Sequence, residues 1–400
     1  RLNVNPLEVK FLVSYRVFAV LFCLTFSVSA MASDGKNNAD FKAKFEKAYT
    51  LITSDNYVDA LDILKNLSSE HPTNANLKSM MGYCYLMTGK TYLEAIETYS
   101  KLNFPDDYTA NYQDGNDEER LAPLEALMYL GEAYHMNFEF EKAKSKYEEY
   151  LGLLKSKKTD EYYFADKRLK EVGYAMEFQK NKTNQVVFEV KSLNTEEADY
   201  RPIPNSMGDL MYFTSRRETK SKKTGEDGRY FEDIYQAQYC RGIWSKPEPI
   251  LQLNTEFHEA ILYLSASEDR ILMYKFNEEN ANGGDIYQSE FKNGNWTTPS
   301  LVKDDVNSRN WEAHATEHDN LILFTSDRKG THGFRDIWTF NPKDLTVNNL
   351  GNTINSEEDE DGAFLTNDGK TLYFSSNGHN SMGGFDIFVS HLDDKGNWST

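Results

Sequence analysis

The stretch Asp368-Gly369-Lys370-Thr371-Leu372-Tyr373-Phe374-Ser375-Ser376, followed after five residues by Met382-Gly383-Gly384-Phe385-Asp386-Ile387, decides the fold. A turn leads into an apolar-aromatic run, and a glycine-rich hairpin leads into a second run, which is the signature of paired strands. The parts recur. Asp233-Ile234-Tyr235, Asp285-Ile286-Tyr287, Asp336-Ile337-Trp338 and Asp386-Ile387-Phe388 sit 52, 51 and 50 residues apart. Each follows an apolar run, at residues 210–215, 271–274, 321–326 and 371–376. A unit of about 50 residues carrying about four short strands has the length of one propeller blade.

Outward from these runs the repeat continues. Each unit opens with an aliphatic-Asn-Thr/Ser triplet: Leu193-Asn194-Thr195, Leu253-Asn254-Thr255, Val306-Asn307-Ser308 and Ile354-Asn355-Ser356. Trp244, Trp296 and Trp398 follow the Asp-Ile-aromatic motif in three units, and Val347 takes that register in the third. These residues resemble the TolB-type propeller repeat, which implies blades built around a common axis. A propeller avoids exposed strand edges by closing its ring. Four blades are visible and the sequence stops inside the fourth, so residues 183–400 are expected to form an incomplete propeller with further blades beyond residue 400.

Upstream the period changes. Residues 41–155 repeat a helix-turn-helix pattern. Ala48, Ala60, Leu64 and Pro72 mark the first unit; Gly82, Tyr85, Ala95 and Tyr99 the second; Leu130, Gly131, Tyr134, Ala143 and Tyr147 the third. The small residues mark where paired helices touch, and the aromatics fill grooves between pairs. Pro72, which lacks a backbone N–H, ends a helix. The spacing resembles the tetratricopeptide repeat and implies an α-solenoid over 33–182, with residues 103–119 an acidic loop and 161–180 a capping helix. Its concave surface would be the place for an extended peptide or a partner's helix.

The chain has 400 residues, 14% of them aromatic, enough for folded cores in two or three domains. A net charge of −19 makes nucleic acid a poor partner. The densest basic run, Lys220, Lys222 and Lys223, is followed by Glu226 and Asp227 and reads as a solvated loop. The chain begins at Arg1, and its first methionine is Met31. Residues 11–30 are mostly apolar, with Lys10 and Arg16 on their N-terminal side and Ala30-Met31-Ala32 before Ser33, which reads as a signal peptide over 1–32. Its uncharged core of 16 residues is short for a membrane span. Cys23 falls in this leader, and Cys84 and Cys240 are expected to be separate buried thiols without a disulfide or zinc.

One string looks catalytic. His314-Ala315-Thr316-Glu317-His318 has the H-x-x-E-H form of an inverted zinc-protease motif. That motif needs a helix to set both histidines on one face. Aligning Phe324 with Phe374 puts His318 on Asp368 at a hairpin turn and Ala313-His314 on Ala363-Phe364 in a strand, where Glu317 points away from both histidines. The glycine-rich segments (Asn282 to Gly284, Gly330 to Gly333, Met382 to Gly384) lead into strands and lack a P-loop's Lys-Ser ending. The acidic run 357–361 reads as a solvated loop between blades. The recurring Asp233, Asp285, Asp336 and Asp386 suit turn or strand-cap hydrogen bonds better than a channel cation site. No catalytic, cofactor or metal residue is assigned. The repeat positions (Gly82, Tyr85, Ala95, Gly131, Tyr134, Ala143, the four aspartates and the three tryptophans) are read as structural.

The whole arrangement resembles the front part of a Bacteroidetes envelope family that ends in an OmpA-like peptidoglycan-binding domain, some members of which assist type IX secretion. The resemblance covers residues 33–400 and implies a non-enzymatic scaffold, exported to the periplasm and associated with the outer membrane or cell wall. Its partners would be other envelope proteins, with peptidoglycan reached through a domain outside these residues. A carbohydrate- or peptide-binding propeller is the alternative, and a propeller hydrolase or lyase a further one. An enzyme would show a cluster of His, Asp or Arg at blade ends that breaks the repeat, and none is expected among the four blades.

Overall fold

A computed structural model describes residues 37–89, 91–104, 115–181, 186, 189–219, 223–225, 227–276, 283–302 and 305–399. The leader, Lys220, Lys222, Glu226, Asn282 and residues 105–114 of the acidic loop lie outside them. Two compact units divide at about residue 184, helices before and strands after.

Among the described residues the first unit has seven helices: α1 (Asn37–Thr53), α2 (Tyr57–Glu70), α3 (Ala75–Met87), α4 (Tyr92–Tyr99), α5 (Glu125–Met136), α6 (Phe140–Leu153) and α7 (Asp160–Lys180). Each packs on its sequence neighbour. Pro72 falls two residues after α2 ends, and the Asn74 side chain caps α3 by accepting from the Leu77 N–H at 3.0 Å. Ala48, Ala60, Ala95 and Ala143 are fully buried. Tyr85 and Tyr134 are partly buried, each lying under a lysine ammonium, Lys65 and Lys142.

The two glycines of the pattern do one job each. A Cβ on Gly82 would stand 2.6 Å from Cζ of Tyr99, and one on Gly131 would stand 2.8 Å from Cε1 of Tyr147. Both rings are buried and cannot retreat. We expect Gly82→Ala to destabilise the helical unit by about 1–3 kcal/mol through overpacking, despite alanine's better helix propensity. Urea unfolding should show it, and Tyr99→Leu in the same chain should recover part of the loss. Equal or greater stability of Gly82→Ala would refute this packing.

The second unit is four consecutive antiparallel sheets in a propeller-like arrangement. The first is β1 (Asp199–Pro204), β2 (Leu210–Ser215), β3 (Asp233–Cys240), β4 (Ile243–Trp244) and β5 (Glu248–Pro249). The second is β6 (Glu259–Leu264), β7 (Arg270–Phe276), β8 (Gly284–Lys292), β9 (Asn295–Trp296) and β10 (Ser300–Leu301). The third is β11 (Glu312–His318), β12 (Leu321–Ser326), β13 (Asp336–Asn341) and β14 (Thr346–Asn349); the fourth is β15 (Glu360–Leu365), β16 (Thr371–Ser376) and β17 (Asp386–His391). The first strands β1, β6, β11 and β15 contact one another from blade to blade and so lie innermost.

Apolar clusters fill the seams. Tyr212 and Ile234 of the first blade meet Ile261, Met273 and Trp296 of the second. Leu323 and Ile337 of the third meet Ala363, Leu372 and Phe374 of the fourth, with Trp398 at the edge of that cluster. Trp244 packs with Phe213 and Tyr235 on the first blade, and Val347 pairs with Phe340.

Two expectations are corrected here. Cys84 is buried, but Cys240 is exposed, because it ends β3 opposite the exposed Ile243 at the sheet's outer edge. The alignment of the third and fourth blades is also off by two residues in the first strand. Glu312 pairs with Ser326 as Glu360 pairs with Ser376, so Ala313 matches Asp361 and His314 matches Gly362. The reason lies in the hairpins. Asp319 and Asn320, both with positive φ, make a two-residue turn after β11. Between β15 and β16 the turn is longer by two, with four residues, 367–370, between the hydrogen-bonded Thr366 and Thr371. His318 therefore ends a strand and does not sit in the turn.

Candidate functional site: the charged cluster on the inner strands

The opening triplets set up every inner strand. The Asn side chain bonds the backbone of the isoleucine in the preceding blade's Asp-Ile-aromatic motif. Asn254 does so to both N–H and C=O of Ile234, Asn307 to those of Ile286, and Asn355 to those of Ile337, all within 3.1 Å. The following Thr or Ser donates, by backbone N–H and hydroxyl, to an acid four residues on: Thr195 to Asp199, Thr255 to Glu259, Ser308 to Glu312, Ser356 to Glu360. Each acid thus fixes the start of an inner strand.

The blades differ in what faces that acid. Arg217 bonds Asp199 at 2.7 Å and Arg328 bonds Glu312 at 3.1 Å. Glu360 has instead the His379 imidazole at 3.9 Å and hydrogen bonds from Ser356 and Ser376. Burial pushes the Glu360 carboxyl up to about 7, with the charge of Asp336 adding to it. Burial and then the charge of Glu259 push Asp233 up to about 7 as well. Both acids hold a proton more tightly folded than unfolded, where carboxyls titrate near 4. Their contribution is complete below about pH 4 and is lost as pH rises through about 7, on the order of 1.4 kcal/mol per pH unit and group. The melting temperature should therefore fall from pH 5 to pH 8, and Glu360→Gln should flatten that slope. A melting temperature rising over this range would contradict the assignment.

Beside these acids lies a second set that the repeat does not require. The acidic run does not form a solvated loop: Glu358, Asp359, Glu360 and Asp361 are all buried, and only Glu357 is exposed. Strand alternation puts Glu360 toward its serines and sends Asp359 and Asp361 to the opposite side. Asp359 accepts from Nε of Arg335 at 2.9 Å. Asp361 accepts from the Thr325 hydroxyl and the Gly362 N–H, both at 2.8 Å, and pairs with His314 Nδ1. The Arg335 guanidinium stacks over Trp311 at 5.0 Å.

The charges act on one another. Burial raises Asp359, and the Arg335 charge only partly offsets it. Burial also penalises the Asp361 anion, yet His314, Arg335 and Arg201 together hold its carboxyl far below the usual carboxylate range. That group stabilises the fold above about pH 4 and ceases to do so as pH falls below it. Stability should therefore peak between the two limbs, near about pH 4–5.

The expectation that no His, Asp and Arg cluster breaks the repeat is overturned. At the Asp361 position the other blades carry Tyr200, Ala260 and Ala313, and at the Asp359 position Ala198, His258 and Trp311. The available signal was this departure, hidden by the two-residue misalignment. The H-x-x-E-H string dissolves in the same geometry, since His314 pairs with Asp361, Glu317 with Arg270 and His318 with Asp319. Among the described residues no three His, Cys, Asp or Glu side chains form a metal-holding group.

The repeat positions fall as follows. Asp336 accepts from the N–H groups of His332 and Gly333, and Asp386 from that of Met382, which is turn capping. Asp233 faces Glu259, and Asp285 is buried. The glycine-rich segments do lead into strands, β8, β13 and β17.

No protein-family model and no characterised protein matches the chain. Solved structures resemble half of it at low identity. A prolyl endopeptidase, from a study of inter-domain dynamics in catalysis and specificity, is 10% identical over 50% of this chain and 26% of its own, with a TM-score of 0.31. A putative 6-phosphogluconolactonase from Bacteroides uniformis is 12% identical over 50% of this chain and 69% of its own, at 0.29. The tricorn protease is 9% identical over 50% of this chain and 22% of its own, at 0.29. The chain thus spans about a quarter of the two proteases.

Proposed function

We propose that this protein is a non-enzymatic scaffold of a bacterial envelope, with a tetratricopeptide-type helical unit and a TolB-type propeller that both hold other envelope proteins. The supporting observation is an open groove on the helical unit, lined by Phe138, Phe140 and Met176 among charged residues, with Phe138 65% exposed. On the fourth blade Ile387 is 66% exposed where the matching Ile234, Ile286 and Ile337 are fully buried under the next sheet, and this is the face that a following blade would cover. Phe364, Tyr373 and Val389 stand exposed beside it, paired across β15, β16 and β17. The acids and bases near the axis, by contrast, are largely spent on one another, which argues against catalysis.

Export to the periplasm and attachment to the outer membrane or to peptidoglycan, through a domain outside these residues, complete the proposal. It is tested by placing a photo-crosslinking residue at Phe138, in that groove, in cells of the source bacterium and fractionating them. Cross-links to envelope proteins and sedimentation with the envelope are expected. A protein that stays in the soluble cytoplasmic fraction without cross-links would end this reading. A ligand-binding propeller is the second reading, favoured by the charged cluster on the inner strands.

A further inference from the structure

Each helix pair of the first unit turns through a residue in the left-handed region, the second residue after the leading helix ends. Asp55 stands there between α1 and α2 at φ 60°, Gly89 between α3 and α4 at φ 68°, and Phe138 between α5 and α6 at φ 63°. Glycine and aspartate enter that conformation readily, whereas a bulky aromatic in it is a strained outlier. Phe138 is also 65% exposed, so core packing does not account for it. A strained aromatic held out in water points to a role other than building the fold.

Phe138 lines the groove between the start of α6 and the end of α7, about 460 Å³ in volume, together with Phe140 and Met176. A recess of that size accommodates whole side chains of a bound molecule. The charges around it fall into two sets. Glu139 and Lys142 bond each other at 2.5 Å. Glu141 and Lys180 line the same groove, are exposed, and have side chains that make no ion pair or hydrogen bond among the described residues. One patch therefore carries a projecting aromatic ring, an apolar recess, an unpaired anion and an unpaired cation.

We propose that a second copy of this chain occupies the groove about a two-fold axis. Phe138 of each copy seats in the recess of the other, and Glu141 of each faces Lys180 of the other. A two-fold contact needs both halves of every interaction on one patch, and this patch supplies knob and recess, anion and cation. A partner of a single charge sign would satisfy only one of the two free charges. The groove is small beside a standard interface, so the dimer belongs to the transient class, with a Kd of roughly 1–100 μM. The proposal rests on the scaffold reading only in taking this groove as an interaction surface, and it names the occupant.

Sedimentation equilibrium of the purified 400-residue chain tests it, at concentrations up to about 500 μM, where a concentration-dependent dimer is expected. Phe138→Gly should raise the Kd at least about tenfold. It should not lower the melting temperature of the dilute monomer, because the strain in the turn is relieved. Glu141→Lys and Lys180→Glu should each raise the Kd at least about tenfold, since like charges then face each other across the axis. The two together should restore it to within about threefold, as the opposite charges meet again. A chain that stays monomeric over the whole range would overturn the proposal, as would a dimer indifferent to Phe138→Gly or a double charge exchange that restores nothing. So would a drop in monomer melting temperature on Phe138→Gly, which would make that residue structural. Failure here is distinct from failure of the scaffold reading. A monomer that cross-links envelope proteins at Phe138 in cells ends this proposal alone, and a dimer found only in the soluble cytoplasmic fraction ends the scaffold reading alone.

Discussion

Ile337→Lys is expected to unfold the strand-rich unit, whereas Ile387→Lys, at the matching position one blade later, shifts stability by less than about 0.5 kcal/mol. Ile337 is fully buried between Leu323 and the Ala363, Leu372 and Phe374 face of the fourth blade. Losing such a side chain costs about 2–5 kcal/mol before any charge is considered. A lysine there adds an unpaired ammonium in an apolar seam, worth several kcal/mol more unless it is deprotonated. The sum matches the whole stability of an ordinary domain, about 5–15 kcal/mol. Ile387, at 66% exposure, leaves room for a lysine head in water. Circular dichroism melts of both variants check this. Binding of a hydrophobic dye should also fall in Ile387→Lys, since the open face loses its central residue. If Ile387→Lys unfolded the chain as readily as Ile337→Lys, residues up to 399 would not leave that face of the fourth blade uncovered.

The pair also shows what the sequence makes legible. Asp-Ile-aromatic recurs with one spacing, so its four isoleucines look alike, and strand positions 210–215, 321–326 and 371–376 coincide with β2, β12 and β16. Periodicity reports which residues face a sheet surface. It does not report whether another sheet covers that surface. The same limit hid the site. Residues 357–361 read as solvated because five consecutive acids are costly to bury, and the groups that make burial possible are distant in sequence. Arg335 is 24 residues from Asp359, and His314 is 47 from Asp361 (361 − 314). The helical glycines were legible for the opposite reason. Gly82 and Tyr99 lie on adjacent helices at a spacing the repeat preserves, so a missing side chain and a large one signal each other. The triplets stand out in the sequence only as a recurrence, since an Asn that closes a backbone pair with Ile337 leaves no other trace there.

Arg328→Ala should destabilise the third blade by about 3–5 kcal/mol, the second large effect expected. Glu312 is fully buried and takes bonds from the Ser308 N–H, the Ser308 and Ser326 hydroxyls and Arg328. The arginine does more than neutralise it. Its guanidinium also donates to Ser326 Oγ and to the backbone oxygens of Asp305 and Val306, and its plane lies over Phe324 at 4.6 Å and Trp338 at 5.7 Å. Truncation leaves a buried carboxylate, two carbonyls without donors and an aromatic face without its cover. Arg328→Lys keeps the charge but has no planar fork to reach all of these at once, so it should recover only part of the loss. A cleaner separation comes from Glu312→Gln with Arg328→Met. Removing both charges while filling the space over Phe324 should cost less than Arg328→Ala alone, because the dominant penalty is the stranded anion and not the lost attraction. The fourth blade supplies a natural contrast. There His379 stands 3.9 Å from Glu360, its Nε2 is 3.0 Å from the Ile354 carbonyl, and its ring packs on Phe374 and Phe388. An imidazole fills that role beside a carboxyl that keeps its proton to about pH 7, whereas Glu312 is paired with the Arg328 guanidinium. Arg328→His should therefore be tolerated better at pH 5, where the imidazole is charged, than at pH 8, and unfolding midpoints at the two values decide it. Equal destabilisation at both would mean that Arg328 acts through packing alone.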